Sequence, residues 1–129
     1  MATAFSFQAY VYLNEGQPLG RSLEQVVGPM ASLDGLFFEW DGSLTWANQS
    51  EGWQIDGMVY DNATEIQYVD LHGRISRAEN AILLHDRLRQ LFGTWGDPAD
   101  LMLLRLPDRR WQTLQDFERE LLSKSASTP

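Results

Sequence analysis

Residues 36–73 read LFFEWDGSLTWANQSEGWQIDGMVYDNATEIQYVDLHG, and this stretch decides the fold class. It breaks into four extended segments: Leu36–Trp40, Leu44–Ala47, Trp53–Asp61 and Glu65–Leu71. Asp41-Gly42 between the first two is a hairpin signal, because tight turns there need backbone conformations that glycine adopts freely. Asp61-Asn62-Ala63-Thr64 supplies turn residues between the last two. The spacing predicts a four-stranded antiparallel meander. Gly57, inside the third segment, predicts a bulge or the close approach of another backbone.

On the N-terminal side, Phe5, Phe7, Ala9, Val11 and Leu13 alternate with Ser6, Gln8, Tyr10 and Tyr12. A period of two means a strand with one buried face. The loop Asn14–Gly20 follows. Ser22 and Gln25 then have the spacing of a capping box, with Leu23, Val26, Val27 and Met30 on one face of a short helix that ends near Gly28 or Met30, because Gly28-Pro29 interrupts it. On the C-terminal side, Ser76 and Glu79 form a second capping pair. It precedes the longest helical pattern, Ala78, Ala81, Ile82, Leu84, Leu88, Leu91 and Phe92, which Gly93 stops. Leu101–Leu106 reads as a buried strand, Pro107-Asp108 as a turn, and Thr113 with Asp116 caps a last helix carrying Leu114, Phe117, Leu121 and Leu122.

The order is β-α-β-β-β-β-α-β-α: an α+β domain in which an antiparallel sheet with a central four-stranded meander packs against two or three helices. The 129 residues are expected to form a single domain, 1–129, with a flexible tail from about 124 to 129.

The absence of cysteine excludes disulfides, thiolate metal sites and cysteine nucleophiles. Residues 1–7 lack a basic segment followed by an apolar run, and no stretch approaches the roughly 18 apolar residues of a membrane span, so a cytoplasmic protein is expected. Asn48-Gln49-Ser50 and Asn62-Ala63-Thr64 match a glycosylation pattern and read as polar loops.

The net charge of −8 is unevenly placed. Residues 1–70 hold ten acidic side chains against one base, Arg21, whereas residues 71–129 hold eight acids and nine bases. Such a distribution repels nucleic-acid phosphate and anionic membrane, and suits a protein partner with a basic surface. The arginines at 74, 77, 87, 89, 105, 109 and 110 are expected to pair with acids or face solvent rather than form an anion site.

Chemistry-bearing candidates are few. Asp70 and His72 lie two apart on one strand and so point to one side, where a carboxylate and an imidazole can share a proton; Tyr68 shares that side. His85 is the other histidine, and its place between Leu84 and Leu88 reads as a boundary position. Neither histidine brings enough ligands for a metal, and no cofactor is expected. No acid pair among Glu39, Asp41, Glu51, Asp56, Asp61 and Glu65 is singled out by spacing. Nucleophile-elbow, phosphate-loop, dinucleotide-binding, H-E-x-x-H and EF-hand patterns are all missing.

Alternation puts Trp40 beside Leu36 and Phe38, Trp46 beside Leu44, and Trp53 beside Ile55 and Val59, so most of these tryptophans are expected in the core. The opposite sheet face would carry Gln8, Tyr10, Tyr12, Glu39, Thr45, Gln54, Asp56, Tyr60, Glu65 and Gln67, a mixture of tyrosines, amides and acids that marks it as a contact surface. The expectation is a small acidic, non-enzymatic binding or accessory protein that meets a basic protein partner, or its own copy, through that face, without nucleic acid or membrane. Two alternatives stand beside it. One is a small enzyme or ligand-binding domain with Asp70 and His72, and His85 or Tyr68, in a pocket between sheet and helix. The other is an acidic chaperone or immunity-type inhibitor, on the general grounds of size, acidity and α+β composition.

Overall fold

The computed structural model describes residues 4–126. Seven strands and three helices follow one another as β1 (Phe5–Leu13), α1 (Leu23–Ala31), β2 (Phe37–Phe38), β3 (Ser43–Asn48), β4 (Trp53–Asp61), β5 (Ile66–Ile75), α2 (Ala81–Gly93), β6 (Leu101–Leu106), β7 (Arg110–Thr113) and α3 (Leu114–Ala126). Short 3-10 turns at Ala78–Asn80 and Pro98–Asp100 lead into α2 and β6. All strands join one sheet in the order β2-β3-β4-β5-β1-β6-β7, with every neighbouring pair antiparallel.

The α+β class and antiparallel sheet match the sequence expectation, but the sheet has more strands than the meander. Strands β2 to β5 form it, and they make up one flank. β1 pairs with β5 on one side and β6 on the other, tying the meander to the C-terminal hairpin. The strand that the sequence did not show is β7: its helix-facing residues are Arg110 and Gln112, so no apolar alternation announces it.

The alternating residues of β1 bury Phe5, Phe7, Ala9 and Val11 against the helix layer, together with Trp53, Ile55 and Val59 of β4 and Val69, Leu71 and Ile75 of β5. The helices answer with Met30 from α1, Leu84, Leu88, Leu91 and Phe92 from α2, and Phe117 and Leu121 from α3. This continuous apolar interior is the main stabilising term.

Two of the three capping pairs form: Ser22 with Gln25 at α1, and Thr113 with Asp116 at α3. The third does not. β5 runs on to Ile75, and the Ser76 hydroxyl donates to the Gly52 carbonyl at 3.3 Å, so α2 begins later, at Ala81, without a side-chain cap. α1 continues through Pro29 to Ala31, although proline there forgoes the backbone hydrogen bond to the Gln25 carbonyl. The α3 backbone is helical through Ala126, beyond the expected start of the tail at 124; residues 127–129 lie outside the described residues.

Trp40 is a correction. β2 stops at Phe38 and the chain turns, leaving the Trp40 ring 71% exposed rather than in the core. Trp46 and Trp53 are buried as expected, edge to face with ring centres 5.3 Å apart. Their indole N–H groups donate to the Asp34 carbonyl and the Glu51 carboxylate.

Gly57 turns out to be a close approach rather than a bulge. A Cβ there would stand 2.9 Å from Leu71 Cδ2 and 3.2 Å from Leu44 Cγ, while the register shift falls at Tyr60/Asp61. Gly73 is tighter still, since the Phe7 ring from the paired strand occupies the place of its missing side chain. Phe7 cannot withdraw, because Phe117 packs on it with ring centres 4.8 Å apart. Gly73→Ala is therefore expected to lower unfolding free energy by about 2 kcal/mol, the usual scale of core overpacking. Urea unfolding would show an earlier midpoint at an unchanged slope; an unshifted midpoint would mean that the Phe7 ring has room to move.

Candidate interaction face and a polar cavity in the helix layer

All three helices cover the same side of the sheet, the side that carries the apolar alternation, and the other side has no covering layer among the described residues. Register lines its residues into rows. Thr45, Asp56, His72, Gln8 and Leu106 face one another across β3, β4, β5, β1 and β6, with Phe37 of β2 at the end of the row. A neighbouring row runs Met58, Asp70, Tyr10, Leu104 and Trp111.

The tyrosines of this face touch. Tyr60 and Tyr68 stack with ring centres 4.9 Å apart and planes 20° from parallel, and Tyr68 stacks on Tyr12 at 5.3 Å and 25°. Tyr10 leans on Tyr68 at 5.2 Å, and Trp111 meets Tyr12 edge-on at 5.8 Å. The stacking distances nearly equal the spacing of adjacent strands, about 4.8 Å, so the rings stand upright and shield one another's faces. Tyr68, in the middle of the ladder, is covered by a ring on either side. Burial within the cluster, followed by the neighbouring Tyr60, Tyr12 and Tyr10, pushes the Tyr68 hydroxyl pKa upward, so it remains a donor at neutral pH.

The contact-face residues predicted from sequence are brought together in part. Gln8, Tyr10, Tyr12, Thr45, Gln54, Asp56 and Tyr60 share this side. Gln67 falls at the irregularity opposite Tyr60 and Asp61, whereas Glu39 and Glu65 lie outside the strands, in the β2–β3 and β4–β5 turns. Tyr68, considered for chemistry, is the centre of the ladder. Phe37, Met58 and Trp111 were missed: Phe37 because β2 is two residues long, Trp111 because β7 was not recognised. Phe37 is 75% exposed.

Beside the ladder the face is polar. Asp56 accepts from Thr45 Oγ1 at 3.1 Å and from Gln54 Nε2 at 2.8 Å, and Gln54 Oε1 accepts from Arg74 at 2.6 Å. Asp70 accepts from Gln8 at 3.2 Å and lies 3.5 Å from His72 Nε2. Asp70 and His72 are thus adjacent, as their spacing implied, but on the side away from the helices and not in a pocket between sheet and helix. His72 is exposed over a hollow that also takes in Asp56 and Arg74.

His85 is on the other side of the sheet, in the helix layer, and the geometry does not bring it to Asp70, His72 or Tyr68. Its ring is buried between α2 and α3, 5% exposed, with Nε2 3.2 Å from the Leu114 carbonyl oxygen and Nδ1 3.4 Å from Glu118 Oε2. It lines a cavity of 590 Å³ with Arg89, Asp97 and Glu118.

The arginines are mostly engaged within the protein. Arg105 is buried between the rings of Phe7 and Phe117, and donates to Gln112 at 2.9 Å and Glu120 at 2.8 Å. Arg110 also approaches Glu120, at 3.5 Å, and Arg87 lies over the Trp53 ring. Burial alone would raise the Glu120 pKa; the hydrogen bonds from Arg105 and Gln112 and the two arginine charges outweigh it and hold the carboxylate below its ordinary value. Asn48 and Asn62, from the glycosylation-like triplets, accept from nearby backbone N–H groups and shape turns. No group of three or more potential ligands that could hold a metal ion occurs among the described residues, and none of their helices is long and apolar enough to cross a membrane.

The chain matches none of the family models, curated proteins or solved structures with which it was compared. Its function has to be argued from this geometry.

Burial pushes the His85 pKa below its ordinary 6.5; Glu118, the Leu114 carbonyl and Asp86 oppose the shift, and Arg89 adds to it. The unfolded chain therefore binds the proton more readily than the folded one. The stability due to the neutral ring is complete above about pH 6.5 and is lost as pH falls toward the depressed folded value. Urea midpoints measured between about pH 7.5 and about pH 5.5 are expected to fall with acidification, and to fall less steeply in His85→Gln. Equal slopes in the two proteins would remove His85 as the cause.

Proposed function

We propose that this protein is a non-enzymatic binding module, and that its uncovered sheet face takes a basic segment of a partner protein. The observation that carries the reading is the tyrosine ladder on a face without a covering layer. Monomeric proteins rarely leave contiguous aromatic surface open without use, and Tyr, Trp and Met are enriched where proteins meet. Phe37, at the end of the row of Thr45 and Asp56, adds a further exposed aromatic ring at the sheet edge.

The ladder's geometry favours a protein over a planar ligand. A base or sugar would need exposed ring faces, and here Tyr68 is stacked on both sides and Tyr12 on one, with Tyr60 at the end of the stack 44% exposed. Charge favours a basic partner over a second copy. Most of the face is built from the first seventy residues, which hold ten acids against one arginine, and Asp56 and Asp70 sit within it. Two such faces would repel, whereas a lysine- or arginine-rich surface would be steered to either.

Tyr10→Ala combined with Tyr60→Ala leaves the net charge unchanged. It is expected to weaken binding of a Lys/Arg-rich peptide by about tenfold or more at fixed salt, as loss of two interface aromatics does, with circular dichroism unaltered. Equal affinity in variant and parent would reduce the interaction to bulk charge attraction and overturn the reading. Light scattering coupled to size exclusion separates the other occupant: a stable dimer dispersed by the same variant would mean that a second copy covers the face.

A further inference from the structure

Two groups lining the cavity between α2 and α3 bear on what it holds. Its 590 Å³ falls within the range of about 300–1,000 Å³ usual for small-molecule sites. The first feature is His85, whose ring is buried beside a Glu118 carboxylate that is itself 41% exposed. Both atoms facing its ring nitrogens are acceptors, the Leu114 carbonyl oxygen at 3.2 Å and Glu118 Oε2 at 3.4 Å, and a neutral imidazole has one N–H to offer. With the proton on Nε2, the Nδ1 lone pair opposes the carboxylate; the other tautomer moves the mismatch to the carbonyl. An imidazolium would satisfy both, but burial works against it. An outside donor with several N–H bonds, placed against Nδ1 and Oε2 together, resolves the conflict without charging the ring.

The second feature is Arg89, whose side chain is exposed to solvent. It lies four residues after His85 on α2, hence on the same helix face, and lines the same cavity. Unlike Arg87, Arg105 and Arg110, it makes no ion pair or hydrogen bond among the described residues. Its guanidinium is available for a carboxylate, which it can hold through two parallel hydrogen bonds.

A simple anion would leave the two acceptors opposed, and a simple amine would leave Arg89 unused. We propose that this cavity binds a small zwitterion, in the simplest case a free amino acid, with its carboxylate on Arg89 and its ammonium between His85 and Glu118. Asp97, whose Oδ1 accepts from Ala99 N at 3.0 Å, faces the same space and reads the rest of the ligand. The site is on the helix side of the sheet, so it stands or falls independently of the partner proposed for the open face.

The test is to titrate the isotope-labelled full chain with each standard amino acid separately and to follow the backbone amides and the His85 ring by NMR. At least one amino acid is expected to give saturable shifts at Arg89, Thr113, Glu118 and the His85 ring. The corresponding amine lacking the carboxylate, and the N-acetylated amino acid, should give none. Arg89→Gln and Glu118→Gln, both outside the fully buried core, should each weaken binding by about tenfold or more, in line with loss of a charge-assisted pair. Thermal unfolding of each variant confirms that it is folded. The proposal is overturned if no amino acid gives saturable shifts at millimolar concentration, or if binding survives both Arg89→Gln and removal of the ligand carboxylate.

Discussion

β1 lies between β5 and β6, and the rest of the sheet hangs on that insertion. Without it the meander and the C-terminal hairpin would be two separate small sheets, each too narrow to bury a helix pair. The pairing works because one strand satisfies two partners at once: its backbone groups alternate between β5 and β6, while Phe5, Phe7, Ala9 and Val11 all point into the helix layer. A slip of one residue would send these four to the open side and bring Ser6, Gln8, Tyr10 and Tyr12 inward. The fit of Phe7 into the space above Gly73 opposes such a slip, because that space exists at one register position.

The open face follows from the same arithmetic. Three helices suffice for one side of a seven-stranded sheet, and the chain provides no further element among the described residues for the other. That side is made tolerable in water by two devices. At one end hydrogen-bonded polar groups run from Thr45 through Asp56 and Gln54 to Arg74. At the other the tyrosines stack on one another around Tyr68. The helix side shows the reverse device at its β6–β7 margin, where buried Arg105 is held by Gln112, Glu120 and two phenylalanine rings. Such a cluster adds less stability than its short distances suggest, because desolvating the charges offsets much of their attraction.

Much of this was legible in the sequence wherever periodicity was clean. β1 and β4 end where alternation ends, and the capping residues of α1 and α3 form the bonds that their spacing implies. Legibility failed where tertiary contacts overrode local pattern. Ser76 had the spacing of a cap but serves the Gly52 carbonyl; Trp40 followed the parity of a strand that had already ended; β7 hides because Arg110 and Gln112 point inward to Glu120. The face was foreseeable from the tyrosines on β1 and β4, but its centre, Tyr68, was not, since stacking depends on cross-strand register. The relation of His85 to Glu118 and the Leu114 carbonyl was equally hidden, because it arises only when α2 and α3 pack.

The sheet is bounded by its two shortest strands, β2 with two residues and β7 with four. An unpaired strand edge is a template on which another chain can add, and the risk grows with its length and flatness. Here the outermost strands are short, and the longest strands, β1, β4 and β5, are enclosed in the middle. The two margins therefore offer little backbone for another strand to add to, and the broad open face offers side chains instead.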